Sequence, residues 1–358
     1  MLHESEKTTT PEQLTYDVLS LYNTELEDLL KLWGQPRYRA GQLFEWLHKN
    51  MAVSFSEMTN LPKQLREKLD KECAIYFVKE KKRQISADGT TKFLFELHDK
   101  ETIEAVLMPH DYGTSLCISS QVGCRMGCRF CASTIGGRVR NLSAGEMLSQ
   151  IYEITKLTGS RPDSIVLMGI GEPLDNFDNL IRFLELIKDQ DGFTLSHRHI
   201  SVSTCGLVKQ IDDLAALKYQ LTLSVSLHAC DNKTRSEIMP VNDAFPIEQL
   251  LESCKRYYKA TGRRISYEYA LIEGVNDRPE QAKKLAQLLA GQQCHVNLIP
   301  INPVKETGFK KTNVTNSARF RDIITENGVT ATIRKKMGAD IDAACGQLRI
   351  SDVKGDHS

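Results

Sequence analysis

The chain has 358 residues, 41% hydrophobic and 26% charged, with a formal net charge of zero. That composition describes an ordinary globular protein with room for one large domain and a small one, and it argues against a uniformly basic nucleic-acid binder while leaving space for a local basic face. No run reaches the roughly 18 apolar residues of a membrane span, and the start MLHESEKTTTPEQ lacks the basic-then-apolar pattern of an export signal, so a cytoplasmic protein with no membrane partner is expected.

Residues 8 to about 75 read as helical throughout. PEQLTYDVLSLYNTELEDLLKLW opens on a Thr-Pro step and repeats leucine at three and four, and RAGQLFEWLHK and LPKQLREKLDKE repeat the pattern. They predict an N-terminal helical accessory domain over 1–75, whose basic side chains suit either an RNA partner or plain water. Over 76–110, CAIYFVKEKKRQ, TKFLFELHD and ETIEAVLMP read as an extension of short antiparallel strands, with SADGT as a hairpin turn. The chain then alternates. SLCISS, SIVLMGIG, HISVSTCG, LTLSVSLHA, RISYEYALI and CHVNLIPIN are strand candidates. AGEMLSQIYEITKLTG, FDNLIRFLELIKDQ, LVKQIDDLAALK, IEQLLESCKRYYKATG and PEQAKKLAQLLA are the helices between them, and SARFRDIITENG is a last helix before ATIRKK. Six such units fall short of the eight that close a barrel. The predicted fold is α/β, a partial (β/α)6 barrel over 111–350, with its chemistry at the C-terminal ends of the strands and a flexible tail over 351–358.

Three of the ten cysteines, Cys124, Cys128 and Cys131, stand in GCRMGCRFCAST directly after the first barrel strand. Thiolates select soft metals, iron–sulfur clusters or zinc. Structural zinc usually takes four ligands, often as two paired knuckles, and the chain has no partner knuckle. Three thiolates suit three irons of a cubane cluster, leaving the fourth iron open to a small molecule. Gly123 and Gly127 let the backbone wrap tightly around such a core. Cys205, Cys230, Cys254, Cys294 and Cys73 lie in or beside apolar segments and read as core, and the thiol load suits a reducing compartment.

This loop resembles that of the radical S-adenosylmethionine (SAM) superfamily. CISSQVGC, MGIGEP, SVSTCG, SLHA, CHVNLIPINP and DIDAACGQL extend the resemblance along nearly the whole chain to the RlmN/Cfr family of RNA methyltransferases. The resemblance implies a 4Fe–4S cluster on the three cysteines, with SAM chelated to its open iron and cleaved to a 5′-deoxyadenosyl radical. It implies that Gly171 and Glu172 meet the amino group of SAM, and that Ser203, Ser226, Leu227, His228 and Asn297 contact the same cofactor. It makes Cys345 the methyl carrier, Cys117 the second catalytic cysteine and Glu104 the proton acceptor. Taken singly, these residues have ordinary alternatives: a turn or helix cap for MGIGEP, a packed histidine for His228, a free thiol in a C-terminal turn for Cys345, a buried strand residue for Cys117, and a strand-edge carboxylate for Glu104.

The implied reaction is methylation of adenine carbon 2 in 23S rRNA and in certain tRNAs, just 3′ of the anticodon. Carbon 2 lies between two ring nitrogens and is not nucleophilic, whereas a carbon radical can add to it. Two SAM molecules serve each turnover, one as methyl donor and one as radical source. A Cys117–Cys345 disulfide remains after release, and an electron donor such as flavodoxin or ferredoxin is required. A monomer is expected. Methylation at carbon 8, as in Cfr, is the alternative on the same residues. Arg125, Arg129, Arg138 and Arg140 lie within sixteen residues with no acid among them and are candidate phosphate contacts. Lys79, Lys81, Lys82 and Arg83 form a second basic cluster, and Lys310, Lys311, Arg334, Lys335 and Lys336 form weaker ones.

Overall fold

The computed structural model describes residues 16–302, 304 and 306–348. The expected Thr-Pro helix start and the 351–358 tail lie outside them.

In the N-terminal module, strand β1 (Tyr16–Asp17) pairs in parallel with β2 (Cys73–Ala74), bracketing helices α1 (Asn23–Leu32), α2 (Tyr38–His48) and α3 (Lys63–Glu72). The continuous first helix expected through LTYDVLSLYN is therefore interrupted. The reason is local side-chain bonding that competes with the helix. Asp17 accepts from the hydroxyls of Ser20 and Ser143, and the Ser20 hydroxyl accepts from the Gly145 N–H at 2.8 Å. The helix starts only at Asn23, where the Glu25 carboxylate turns back to the Tyr22 N–H at 2.8 Å. The module is docked, not tethered: Val18 and Leu19 are fully buried in the main core.

The remaining chain builds one ten-stranded mixed sheet. Strands β3 (Lys79–Ile85), β4 (Thr91–Glu96), β5 (Thr102–His110) and β6 (Gly113–Cys117) form an antiparallel meander. A short hairpin, β7 (Gln121–Gly123) with β8 (Arg138–Asn141), stands apart from the sheet. The chain then runs α4 (Ala144–Thr158), β9 (Ser164–Leu167), α5 (Phe177–Lys188), β10 (Ile200–Thr204), α6 (Val208–Ala216) and β11 (Thr222–Ser226). Helices α7 (Asn232–Ile238), α8 (Val241–Ala244) and α9 (Ile247–Thr261) follow, then β12 (Ile265–Leu271), α10 (Pro279–Leu289), β13 (Cys294–Pro300), α11 (Val314–Glu326) and β14 (Ala331–Ile333).

The sheet order is β14-β13-β12-β11-β10-β9-β6-β5-β4-β3, and its two ends do not pair. The barrel is partial, as the sequence predicts. Two expectations change. ATIRKK supplies a seventh parallel strand, beside β13. The antiparallel extension is not a separate unit, because β5 pairs with β6, Val106 opposite Cys117, and continues the sheet.

Period-two alternation sets what the two faces carry. Leu116, Ile165, Leu167, Ile200, Val202, Leu223, Val225, Tyr267, Tyr269, Val296 and Leu298 are buried in the core. The alternate positions Ser115, Cys117, Ser201, Thr222, Ser224, Ser266, Glu268 and Asn297 line an open cavity on the concave face. A closed barrel of this type fills its interior with branched apolar side chains. Here the small polar inward residues leave it hollow.

Candidate active site

The β7–β8 hairpin, which the sequence did not announce, carries the cysteine loop between its strands. Gly123 holds φ +71°, and a Cβ there would lie 2.0 Å from the Gly137 carbonyl, so only glycine fits. The Cys124 N–H bonds that same carbonyl at 3.1 Å, and the Cys131 N–H returns to the Cys128 carbonyl at 3.1 Å. All three thiols line one cavity of 160 Å³. Burial pushes Cys124 up to about 12, and raises Cys128 and Cys131 as well. Bare thiolates are thus disfavoured here, and a cationic inorganic core would reverse that balance. Among the described residues no three His, Cys, Asp or Glu side chains converge on a single ion. Thiols spread around a cavity suit a polynuclear core.

The wall facing the cysteines comes from strand ends. Gly171 has φ +113°, and a Cβ there would meet Gln121 at 2.7 Å. Glu172 donates its N–H to Gln121 Oε1 at 2.8 Å, while its buried carboxylate accepts from the N–H groups of Cys205 at 2.7 Å and Leu174 at 3.1 Å. Burial raises its pKa against those bonds. Ser203, Ser226 and His228 line the same cavity. His228 sits at φ +55° with Nδ1 accepting from the Ala270 N–H at 2.8 Å, which leaves the ring proton on Nε2. Burial lowers its pKa to about 3, so the ring is neutral. Leu227 differs: its fully buried side chain lies in the core and does not line the cavity.

Sequence reasoning missed the residue that pins these loops. Arg235, fully buried on α7, donates to the carbonyls of Cys205 (2.7 Å), Ser226 (3.1 Å) and Leu227 (3.1 Å) and to Asn242 Oδ1 (3.1 Å). It ties the ends of β10 and β11 together. Nor is Cys205 plain core, because it lines the cysteine cavity beside Glu172.

A second cavity, of 820 Å³, occupies the barrel interior and contains Cys117 and Cys345 together. Met168, Glu268, Ile299, Asn302, Arg334 and Cys345 line both cavities, so the Cys345 thiol stands at their junction. Arg334 Nη1 lies 2.9 Å from Cys345 Sγ. Long-range bonds hold this segment. Ala132 N–H meets the Gly346 carbonyl at 2.8 Å, Ser133 Oγ the Leu348 carbonyl at 2.6 Å, and Lys92 Nζ the Asp342 carbonyl at 3.2 Å. Burial drives Cys117 up to about 12, and Cys345 adds to the rise. All ten cysteines, these two included, are free thiols.

Two expected site residues lie elsewhere. Asn297 lines only the barrel cavity, donating to Glu268 Oε2 at 2.7 Å. Asn302, five positions on, reaches the cysteine cavity, and its Oδ1 is buried without a hydrogen-bond partner. Glu104 is buried on the same face of β5 as the cavity-lining Val106 and Met108, 3.3 Å from Lys92 Nζ, and does not itself line either cavity. It is not the strand-edge carboxylate of the sequence reading, because β5 is flanked by β4 and β6. Three of the four clustered arginines are already in ion pairs. Arg125 and Arg138 both pair with Asp175, and Arg140 pairs with Asp99 and Glu146.

Comparison with known proteins agrees with this architecture. Residues 118–286 match the Radical SAM superfamily, and residues 16–75 match the ribosomal RNA large subunit methyltransferase N-terminal domain. A probable dual-specificity RNA methyltransferase RlmN from Lachnoclostridium phytofermentans is 49% identical over 94% of this chain and 94% of its own length. The corresponding Bacillus subtilis protein is 47% identical over 98% of both. The chain belongs to the RlmN family. A radical SAM methyltransferase from Sphaerobacter thermophilus shares the fold of this RlmN-family chain with a TM-score of 0.89 and 42% identity, over 93% of this chain and 99% of that one. The radical SAM family implies a 4Fe–4S cluster and SAM, and the donor chemistry suits them: three thiols for irons and the buried Glu172 carboxylate for an amino group line one cavity. Among the described residues no helix is long and apolar enough to cross a membrane.

Proposed function

We propose that this RlmN-family enzyme methylates carbon 2 of an adenosine in 23S rRNA and in tRNA, through a methylated Cys345. The observation that carries the reading is the position of Cys345 at the junction of two cavities, with the three-cysteine loop on one side and Cys117 on the other. When bound, the cluster and SAM supply the radical chemistry that an electron-poor carbon requires.

The chain's own residues do the rest. The Cys345 sulfur takes a methyl group by displacement from a first SAM molecule, with the Arg334 guanidinium donating to it at 2.9 Å. A second SAM molecule serves as radical source. The 820 Å³ cavity has room for an adenine drawn out of folded RNA. Release follows when Cys117 sulfur attacks Cys345 sulfur. One S–S bond forms, one S–C bond breaks, the Cys117 proton is lost, and the electron pair of the broken bond goes to the methylene carbon on the base, which takes up a proton to become the methyl group. A dithiol reductant restores both thiols by thiol–disulfide exchange, itself leaving as a disulfide, and a flavodoxin- or ferredoxin-type donor supplies the single electrons that the cluster needs. For the proton taken from carbon 2, Glu104, paired with Lys92, is one candidate acceptor, and Glu268, the carboxylate lining both cavities, is the other. The N-terminal module is an added RNA-holding surface, and the enzyme works as a monomer in the cytoplasm.

Anaerobic reconstitution with iron and sulfide, then turnover on transcribed rRNA and tRNA fragments, tests the reading. The expected product is 2-methyladenosine, with two SAM molecules consumed per methyl group. A product methylated at carbon 8 would transfer the enzyme to the Cfr-type reading, and no 5′-deoxyadenosine at all would defeat both.

A further inference from the structure

The barrel cavity opens beside an unusual pair of rings. His110 ends β5 and Tyr112 occupies the turn into β6, and both line the cavity. Their rings are parallel to within 1°, with centroids 4.9 Å apart. Tyr112 is nevertheless 82% exposed. A large aromatic ring held in order yet left in water presents one open π-face.

The turn that carries it is fixed. Gly113 has φ +129°, and a Cβ there would meet Asp163 Oδ2 at 2.5 Å. The Thr114 N–H donates to that same carboxylate oxygen at 2.7 Å. Burial first, then Arg334 and Lys335, depress the pKa of His110, so its ring stacks as a neutral group. The exposed Lys335 and Lys336 line the same rim, and neither forms an ion pair among the described residues. This sets them apart from Arg125, Arg138 and Arg140, each of which already forms an ion pair. The one acid in the ring-bearing turn is Asp111.

A flat aromatic face next to lysines without ion pairs among the described residues, at the mouth of a cavity roomy enough to admit a base, has the chemistry of a single-stranded nucleotide subsite. Stacking accepts any base, and the ammonium groups bind phosphate without reading sequence. We propose that the His110–Tyr112 pair is a stacking platform for the unpaired RNA base adjoining the target adenosine, with Lys335 and Lys336 holding the neighbouring phosphates. This rests on the RNA-methylating reading above.

The test uses full-length reconstituted enzyme and an RNA stem-loop with 2-aminopurine on the 5′ or the 3′ side of the target adenosine. Wild-type enzyme is expected to quench the probe by stacking at one of the two positions. Tyr112→Ala is expected to abolish the quench and raise KM for RNA about tenfold or more, with kcat at saturating RNA much less affected. Tyr112→Trp should retain both. Lys335→Gln and Lys336→Gln should each lower the slope of log affinity against log salt by about one. Wild-type enzyme that methylates no RNA would overturn the functional reading itself. Wild-type enzyme that methylates RNA but quenches neither probe, or a Tyr112→Ala enzyme with unchanged KM, would overturn the platform alone. Tyr112 is exposed, so its loss leaves the core untouched, and SAM binding by the variant checks the fold.

Discussion

Arg334 lies 2.9 Å from the Cys345 sulfur and lines both cavities. A hydrogen bond from a charged donor is worth about 1.5–3 kcal/mol. Replacing Arg334 with Met should therefore slow transfer of a labelled methyl group from SAM to the protein by about 10–100-fold, while iron content stays at the wild-type level. Arg334→Lys should recover part of the rate, and equal rates in all three proteins would remove Arg334 from the mechanism. Cys117 carries a different constraint. Burial holds it as a neutral thiol, with its pKa up to about 12. The attacking thiolate thus gains population with every unit of rising pH below that value. In rapid-quench experiments, release of the methylated base should accelerate from pH 7 to pH 9. Cys117→Ala should instead leave a covalent protein–RNA adduct, seen as a ribonuclease-sensitive shift on a denaturing gel.

The β7–β8 hairpin shows how one element can decide a site. Gly123→Ala would drive a Cβ to 2.0 Å from the Gly137 carbonyl. The hairpin must then open, and the variant should bind less than half the iron and sulfide of wild type while keeping its far-ultraviolet circular dichroism. A second element-scale prediction concerns docking of the N-terminal module. His48 on α2 meets the Tyr152 hydroxyl on α4 at 3.0 Å, and burial lowers its pKa to about 3. The unfolded chain protonates His48 near its ordinary value of 6.5. Between those values the unfolded state binds the extra proton, so stability rises with pH. Stability is full above about pH 6.5 and falls by up to about 1.4 kcal/mol per unit per histidine as pH drops toward 3. His228 adds to the same slope. Melting temperature should fall from pH 7 to pH 5, and His48→Gln should show a shallower fall.

At the scale of the whole molecule, an open sheet with a polar concave face makes two adjoining cavities, and Cys345 touches both. Under the proposed function, the cofactor and the RNA should each shield the same sulfur from opposite sides. Iodoacetamide labelling of Cys345, followed by mass spectrometry, should be slowed by SAM alone and by the RNA stem-loop alone. Protection by only one of them would break the junction model.

Much of this architecture was legible in the chain. Alternating strands with apolar helices between them specify the open α/β array, because period two and period 3.6 are local properties of the backbone. The Cys-x₃-Cys-x₂-Cys loop is local too, and so is the glycine turn at Gly171. The tertiary structure decided the rest. Asp175 pairs with arginines 50 and 37 positions away, Lys92 bridges Glu104 to the segment carrying Cys345, Arg235 locks two strand ends, and Asn302 rather than Asn297 lines the cysteine cavity. These pairings depend on where distant backbones meet, and sequence spacing carries no record of that distance. Sequence determined which groups are present and which face each strand buries, whereas only folding fixed which charge met which partner and which thiols came to share a cavity.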